Sequence, residues 1–187
     1  MISHHSPFLA AACDGDFKER CDNLITLPDE DPTIFALFVE WLYYGDYAIE
    51  PFSLPPQASN DSVSVDAECW VLGDKLQCNE FKSHAMRRLY KQYTAKIFSR
   101  PITTHNVQFA CDHSTESSKL RKLYVDLAAT YFGREERVSG TVEEWEKLVV
   151  SHSDLRRLLL QSLWLAVAER NFVESEEHYL EESNPSP

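Results

Sequence analysis

Apolar residues recur at three- and four-residue spacing over most of the chain, and many of these runs begin or end on a residue suited to a helix terminus. In residues 31–47, DPTIFALFVEWLYYGDY, Ile34, Phe35, Phe38, Trp41 and Leu42 share one wide stripe, with Leu37 and Tyr44 beside it. That is the period of an amphipathic helix. Asp31 is placed to cap it, and Pro32 suits a first turn, where a missing N–H costs nothing. Gly45 suits the left-handed residue that stops a helix. Six aromatic side chains fall in this stretch: Phe35, Phe38, Trp41, Tyr43, Tyr44 and Tyr47. A core segment is the expected reading, and an aromatic cofactor box the rarer one.

The same pattern predicts a helix from Val65 to Leu76 with Trp70 and Val71 inward. A second follows, capped by Asn79, with Phe81, Ala85, Met86, Leu89, Tyr90 and Tyr93 on its face. NVQFACD (106–112) is a short helix candidate after a connector at 95–105. Ser117 or Ser118 opens a clearer helix, with Leu120, Leu123, Tyr124, Leu127 and Tyr131 aligned and Gly133 at its end. Thr141 and Glu144 stand at capping-box spacing. Ser153 is placed to cap the last helix, whose face reads Leu155, Leu158, Leu159, Ser162, Leu163, Ala166. PFLAAAC (7–13), entered through Ser6, predicts one more short helix near the start. LITL (24–27) reads as a strand and DYAI (46–49) as a brief extended piece. Residues 51–64 hold three prolines in a polar run and predict a long loop. Beyond Val173 the acidic ESEEHYLEESNPSP predicts a frayed, then disordered tail. The expected fold is mainly α (α+β): a helical cluster with a reduced small sheet, followed by additional C-terminal helices.

Composition narrows the function. The 187 residues carry 30 acids against 18 Lys and Arg, a formal charge of −12. Such a field repels phosphate backbones and anionic membrane surfaces, so neither nucleic acid nor membrane is expected as a partner. The longest apolar runs, at 34–39 and 163–168, fall far short of the ~20 residues of a membrane span. Met1 is followed by a polar ISHHSP rather than the basic and apolar segments of a secretory leader. Five scattered cysteines, Cys13, Cys21, Cys69, Cys78 and Cys111, form no C-x-x-C. They read as reduced, buried thiols of a cytoplasmic or nuclear protein.

Candidate chemistry is sparse. The sequence holds no glycine-rich phosphate loop, no G-x-S-x-G and no H-E-x-x-H. HSD at 152–154 has the residue types of a triad, but adjacent residues do not converge as a triad must. CDH at 111–113, and Cys78 with His84, offer soft ligands without the second close pair that a structural zinc site needs. Glu143 and Glu144 suit a helix start. No enzyme, cofactor or metal is expected.

Three segments together resemble the BTB/POZ domain, particularly the fungal BTB proteins: HSPFLAAACDGDFKE (5–19), ITLPDEDPTIFALFVEWLYYGDY (25–47) and AECWVLGDKLQCNEFKSHAMRRL (67–89). Order and spacing follow the family pattern, and 117–132 looks like the segment that follows the domain there. Gly73 departs from the family's usual Ala. The family's first strand, helix and strands have no counterpart ahead of the S-P-F segment, so the domain is expected to be N-terminally shortened. The implied organisation is a BTB/POZ-like domain over 1–95, a C-terminal helical region over 96–173 and the acidic tail over 174–187.

The resemblance implies protein–protein interaction: an adaptor or scaffold, in adaptor relatives linking a substrate to a cullin ubiquitin ligase. The FKE segment occupies the family's cullin-contact place, so Phe17 and Glu19 are the partner-binding candidates. Phe35, Phe38, Trp41, Leu42, Trp70, Leu76 and Leu89 are the expected core. A self-associating structural or transcription-linked protein without a ligase role is the alternative, with homo-oligomerisation as its signature.

Overall fold

A computed structural model describes residues 27, 30–48, 62–95 and 99–182. Among them the chain is mainly helical, with seven α-helices and one two-stranded parallel sheet. Helix α1 spans Pro32–Tyr44. Its start is capped as expected, with Asp31 Oδ1 accepting from the Thr33 N–H at 2.7 Å. Its end is set by Gly45, whose φ of 74° lets its N–H reach Trp41 O at 2.8 Å. That φ suits a residue without Cβ.

Ile34, Phe38 and Trp41 point inward, whereas Phe35 and Leu42 are half-buried at the edge of the core. Both were expected inside. The apolar stripe is wider than the contact face of one helix, so its margins remain partly wet. Phe38 and Trp41 both pack on Phe81, at ring-centroid distances of 5.0 and 5.2 Å. Tyr43 and Tyr44 are exposed.

Helices α2 (Val65–Lys75) and α3 (Asn79–Thr94) form a tight hairpin. Trp70, Leu76 and Leu89 are fully buried there, as expected. Gly73 sits where the two helices meet: a Cβ on it would lie 2.8 Å from Lys82 Cγ and 3.2 Å from the Lys82 backbone nitrogen. A glycine at this position therefore permits a close helix approach. Asn79 was expected to cap α3, but Cys78 holds that position without a side-chain cap bond.

Strand β1 (Ile102–Thr103) pairs in parallel with β2 (Val138–Ser139), Ile102 opposite Val138. Neither expected strand coincides with these. LITL lies outside the described residues except Leu27, and Asp46–Ala48 is irregular, its Tyr47 side chain buried in polar contacts. Helices α4 (Thr104–His113), α5 (Lys119–Tyr131), α6 (Val142–Ser151) and α7 (Ser153–Leu163) complete the body. Ser118 caps α5, and Thr141 with Glu144 forms the expected capping box at α6. Ser153 does not cap α7: His152 alone separates it from α6, and no side chain caps its start.

One hydrophobic cluster runs through all these elements, from Ile34 to Tyr179, across the division expected near residue 95. Tyr93 of α3 meets Tyr124 of α5 edge-on at 5.5 Å, and its hydroxyl donates to Asn106 Oδ1 of α4. The described part of the acidic tail also belongs to the body. Glu176–Tyr179 forms a 3-10 turn, and Tyr179 is completely buried, which corrects the expectation of disorder over 174–182. Acidic composition read as solvated, but lysines on α3 and α5 hold these acids. Residues 183–187, the FKE segment and the 7–13 and 51–61 segments lie outside the described residues.

Candidate functional site

Titratable groups gather in several places, and the bonds in each define what they do. In the first turn of α2, Asp66 is fully buried and accepts from Tyr47 Oη at 2.5 Å, Arg88 Nε at 2.9 Å and the Gln92 amide. Burial pushes the Tyr47 phenol far above its ordinary range, with Cys69 and Asp66 adding to the shift. Burial likewise pushes the Cys69 thiol up to about 12. A protonated phenol and a protonated thiol are a donor and a packing group, neither a base nor a nucleophile near neutral pH. This cluster fastens α1 to α2 and α3. His84, one of the soft ligands weighed in the sequence, faces Asp46 at 3.0 Å. Among the described residues no three His, Cys, Asp or Glu side chains are arranged to hold a metal.

A groove of about 520 Å³ lies where α4 and α6 begin, lined by Thr104, His105, Ser139, Gly140, Thr141 and Glu144. Two helix N-termini make such a place attractive to an anion. Glu144 already supplies one: its carboxylate accepts from the Thr141 N–H at 2.9 Å and from Thr104 Oγ1 at 3.0 Å. These bonds, the Thr141 N–H foremost, hold it below the usual carboxylate range.

Among the described residues, several large apolar side chains are exposed together at the far end of α7. Leu155, Leu159 and Ser162 face inward, and Arg121 of α5 clamps Asp154 in the first turn through Nε (2.8 Å) and Nη2 (2.7 Å). Those bonds carry the Asp154 carboxyl below its ordinary pKa in spite of partial burial. Leu160, Leu163, Trp164, Leu165 and Val167 are exposed, Trp164 by 89%. Helical spacing places Arg156 and Arg157, both exposed, on the same side as Leu160 and Trp164. The turn behind Trp164 is tied down. Arg134 Nη2 donates to Val167 O at 2.9 Å, while Arg170 donates to Leu165 O at 3.3 Å and to Phe132 O at 2.7 Å. The patch is thus presented on a held turn.

No family model, curated protein or solved structure matches the chain. The BTB/POZ likeness therefore rests on its sequence motifs.

Of the residues singled out in the sequence, Phe17 and Glu19 lie outside the described residues, so no geometry attaches to them. HSD is split among unrelated duties: Asp154 pairs with Arg121, and Ser153 begins a helix. Leu163 and Ala166, expected on the inner face of α7, are exposed, because the helix stops at Leu163 and Leu163 turns away from the inner stripe. The patch left a readable sign. Leu160 and Trp164 fall opposite Leu155, Leu159 and Ser162 at 100° per residue, so α7 carries apolar residues on two faces.

Proposed function

We propose that the chain is a non-catalytic protein-interaction module, an adaptor or scaffold of the BTB/POZ kind. The observation that supports this best is the apolar patch of Leu160, Leu163, Trp164 and Val167 on a turn held by Arg134 and Arg170. An exposed apolar patch containing a tryptophan is costly to leave in water and is the usual anchor of a protein interface. Two exposed arginines beside it suit a partner surface that combines apolar and acidic groups.

In the finer version, Phe17 and Glu19 contact a cullin and the α7 patch receives the substrate. Co-precipitation with purified cullin tests it. The wild-type chain is expected to retain cullin, Phe17→Ala/Glu19→Ala to lose it, and Trp164→Ala to keep it. Equal recovery by wild type and the double variant, or none by either, removes the ligase role.

The patch also favours the second reading, self-association without a ligase role, since two copies would cover each other's tryptophan. Sedimentation at several concentrations decides: a concentration-dependent dimer abolished by Trp164→Ala assigns the patch to self-association, and a strict monomer rules it out.

A further inference from the structure

Residues 172–182 cross α3 and α5 as a strap, extended on either side of the 3-10 turn Glu176–Tyr179, and side chains of those helices hold its backbone. Thr130 Oγ1 accepts from the Phe172 N–H at 3.0 Å. Tyr90 Oη donates to Glu174 O at 2.9 Å, and Lys119 Nζ to His178 O at 2.8 Å. Ser83 Oγ accepts from the Glu181 N–H at 3.2 Å, and Asn79 Nδ2 donates to Glu182 O at 3.2 Å. Apart from turn bonds of its own, the strap is bonded as a peptide is in a recognition groove, by side chains projecting from rigid helices.

Its acids meet a basic line. Lys82 lies 3.0 Å from Glu181, Lys122 3.1 Å from Glu174, and Arg87 3.9 Å from Glu176. On a chain of net charge −12 this line is a local reversal of sign. Tyr179 is the anchor. It is the strap's one fully buried residue, and its hydroxyl donates to Asp126 Oδ2 at 2.8 Å while accepting from the Glu174 N–H at 2.9 Å. A phenol donating to a carboxylate has no room for a phosphate, whose charge Asp126 would repel. The chain leading into the strap, residues 163–169, is exposed throughout, so Tyr179 is the one fully buried residue that the strap withdraws from the core on leaving.

We propose that the α3–α5 face is a docking site for an extended, acidic peptide segment bearing an unphosphorylated tyrosine. Residues 172–182 are its resident occupant, and a partner segment of the same chemistry displaces them. The site is separate from the Trp164 patch, and its test does not depend on what that patch binds.

The probe is a fluorescein-labelled peptide of sequence NFVESEEHYLEES (171–183), titrated with full-length protein and read by fluorescence anisotropy. A tethered occupant competes with the probe at high effective concentration, so the wild type is expected to bind weakly. Tyr179→Ala in the full chain loosens the resident strap and is expected to tighten probe binding about tenfold or more. Adding Lys122→Glu is expected to reverse that gain, and peptides with Ala or phosphotyrosine in place of the tyrosine are expected not to bind. A Tyr179→Ala protein that keeps its native circular dichroism yet binds no probe overturns the proposal, as does equal binding of the phosphotyrosine peptide.

Should that variant not fold, hydrogen exchange on the wild type decides. Strap amides at Glu174 and Glu181 are expected to exchange about tenfold or more faster than amides at Leu89 and Leu123, by local opening. Equal rates would make the strap an inseparable part of the fold and overturn the proposal. Sedimentation covers the remaining occupant: a wild-type dimer dissolved by excess peptide assigns the site to the strap of a second copy instead.

Discussion

At the scale of single residues, Gly73 shows how a glycine inside a helix reports on packing. By helix propensity alone, Gly73→Ala should stabilise α2 by about 1 kcal/mol. Contact geometry points the other way. The new Cβ meets the Lys82 backbone nitrogen at 3.2 Å and Lys82 Cγ at 2.8 Å. Cγ lies in the middle of its chain, and Lys82 Nζ is fixed by Asp74 at 2.6 Å and Glu181 at 3.0 Å. Neither atom has freedom to yield, and overpacking of this kind costs about 1–3 kcal/mol. Gly73→Ala is therefore expected to lower the urea midpoint, whereas a glycine-to-alanine change at an open helical site would raise it. A raised midpoint would mean that α3 slides to make room.

At the scale of elements, two helix starts carry the same device in different surroundings. Thr141 and Glu144 form a capping box at an exposed end, and Thr103 and Asn106 form one at a buried end. Thr141→Ala is expected to cost about 1 kcal/mol, the usual worth of a cap. Thr103→Ala is expected to cost more, because it strips the buried Asn106 N–H of its 3.1 Å acceptor and adds a desolvation penalty of about 1–3 kcal/mol. Urea denaturation of the two variants orders them, and equal losses would mean that water reaches Asn106. Only the first box was legible in the sequence, since the motif names Glu or Gln at its third helical position and Asn106 is neither. The same limit recurs elsewhere. Helices α1, α2, α3, α5 and α7 were legible because each is periodic along its own sequence, and α6 through its capping box. The strands were not, because two-residue segments 36 positions apart are paired by tertiary packing alone. The strap was not, because what orders it is written in Lys82, Lys119 and Lys122 on distant helices rather than in its own acids.

At the scale of the molecule, one core gathers three buried thiols, and they set how stability responds to base. Burial pushes Cys69 up to about 12, and Cys78 and Cys111 to about 11, against about 8.5 in an unfolded chain. Because the folded state holds each proton more tightly, the stability tied to it is complete below about pH 8.5 and falls as pH rises toward the folded values. Each thiol adds a slope of up to about 1.4 kcal/mol per pH unit in that window. Arg88, Arg121 and Lys122, raised in the folded state chiefly by their carboxylate partners against the opposing effect of burial, act in the same sense only above about pH 10. On the acid side the sign is opposite. Burial holds His84 below its ordinary value in spite of Asp46, so its contribution is present above about 6.5 and is lost as pH falls through the folded value. Glu68, raised by burial, opposes this only in the carboxylate range. The expected profile is a plateau from about pH 7 to 8.5 with a steeper fall on the alkaline flank. Urea midpoints measured under reducing conditions across this range check it, and Cys69→Ala is expected to make the alkaline fall shallower. A midpoint that stays level up to about pH 10 would mean that these thiols titrate alike folded and unfolded, and that the core around α2 and α3 is open to water.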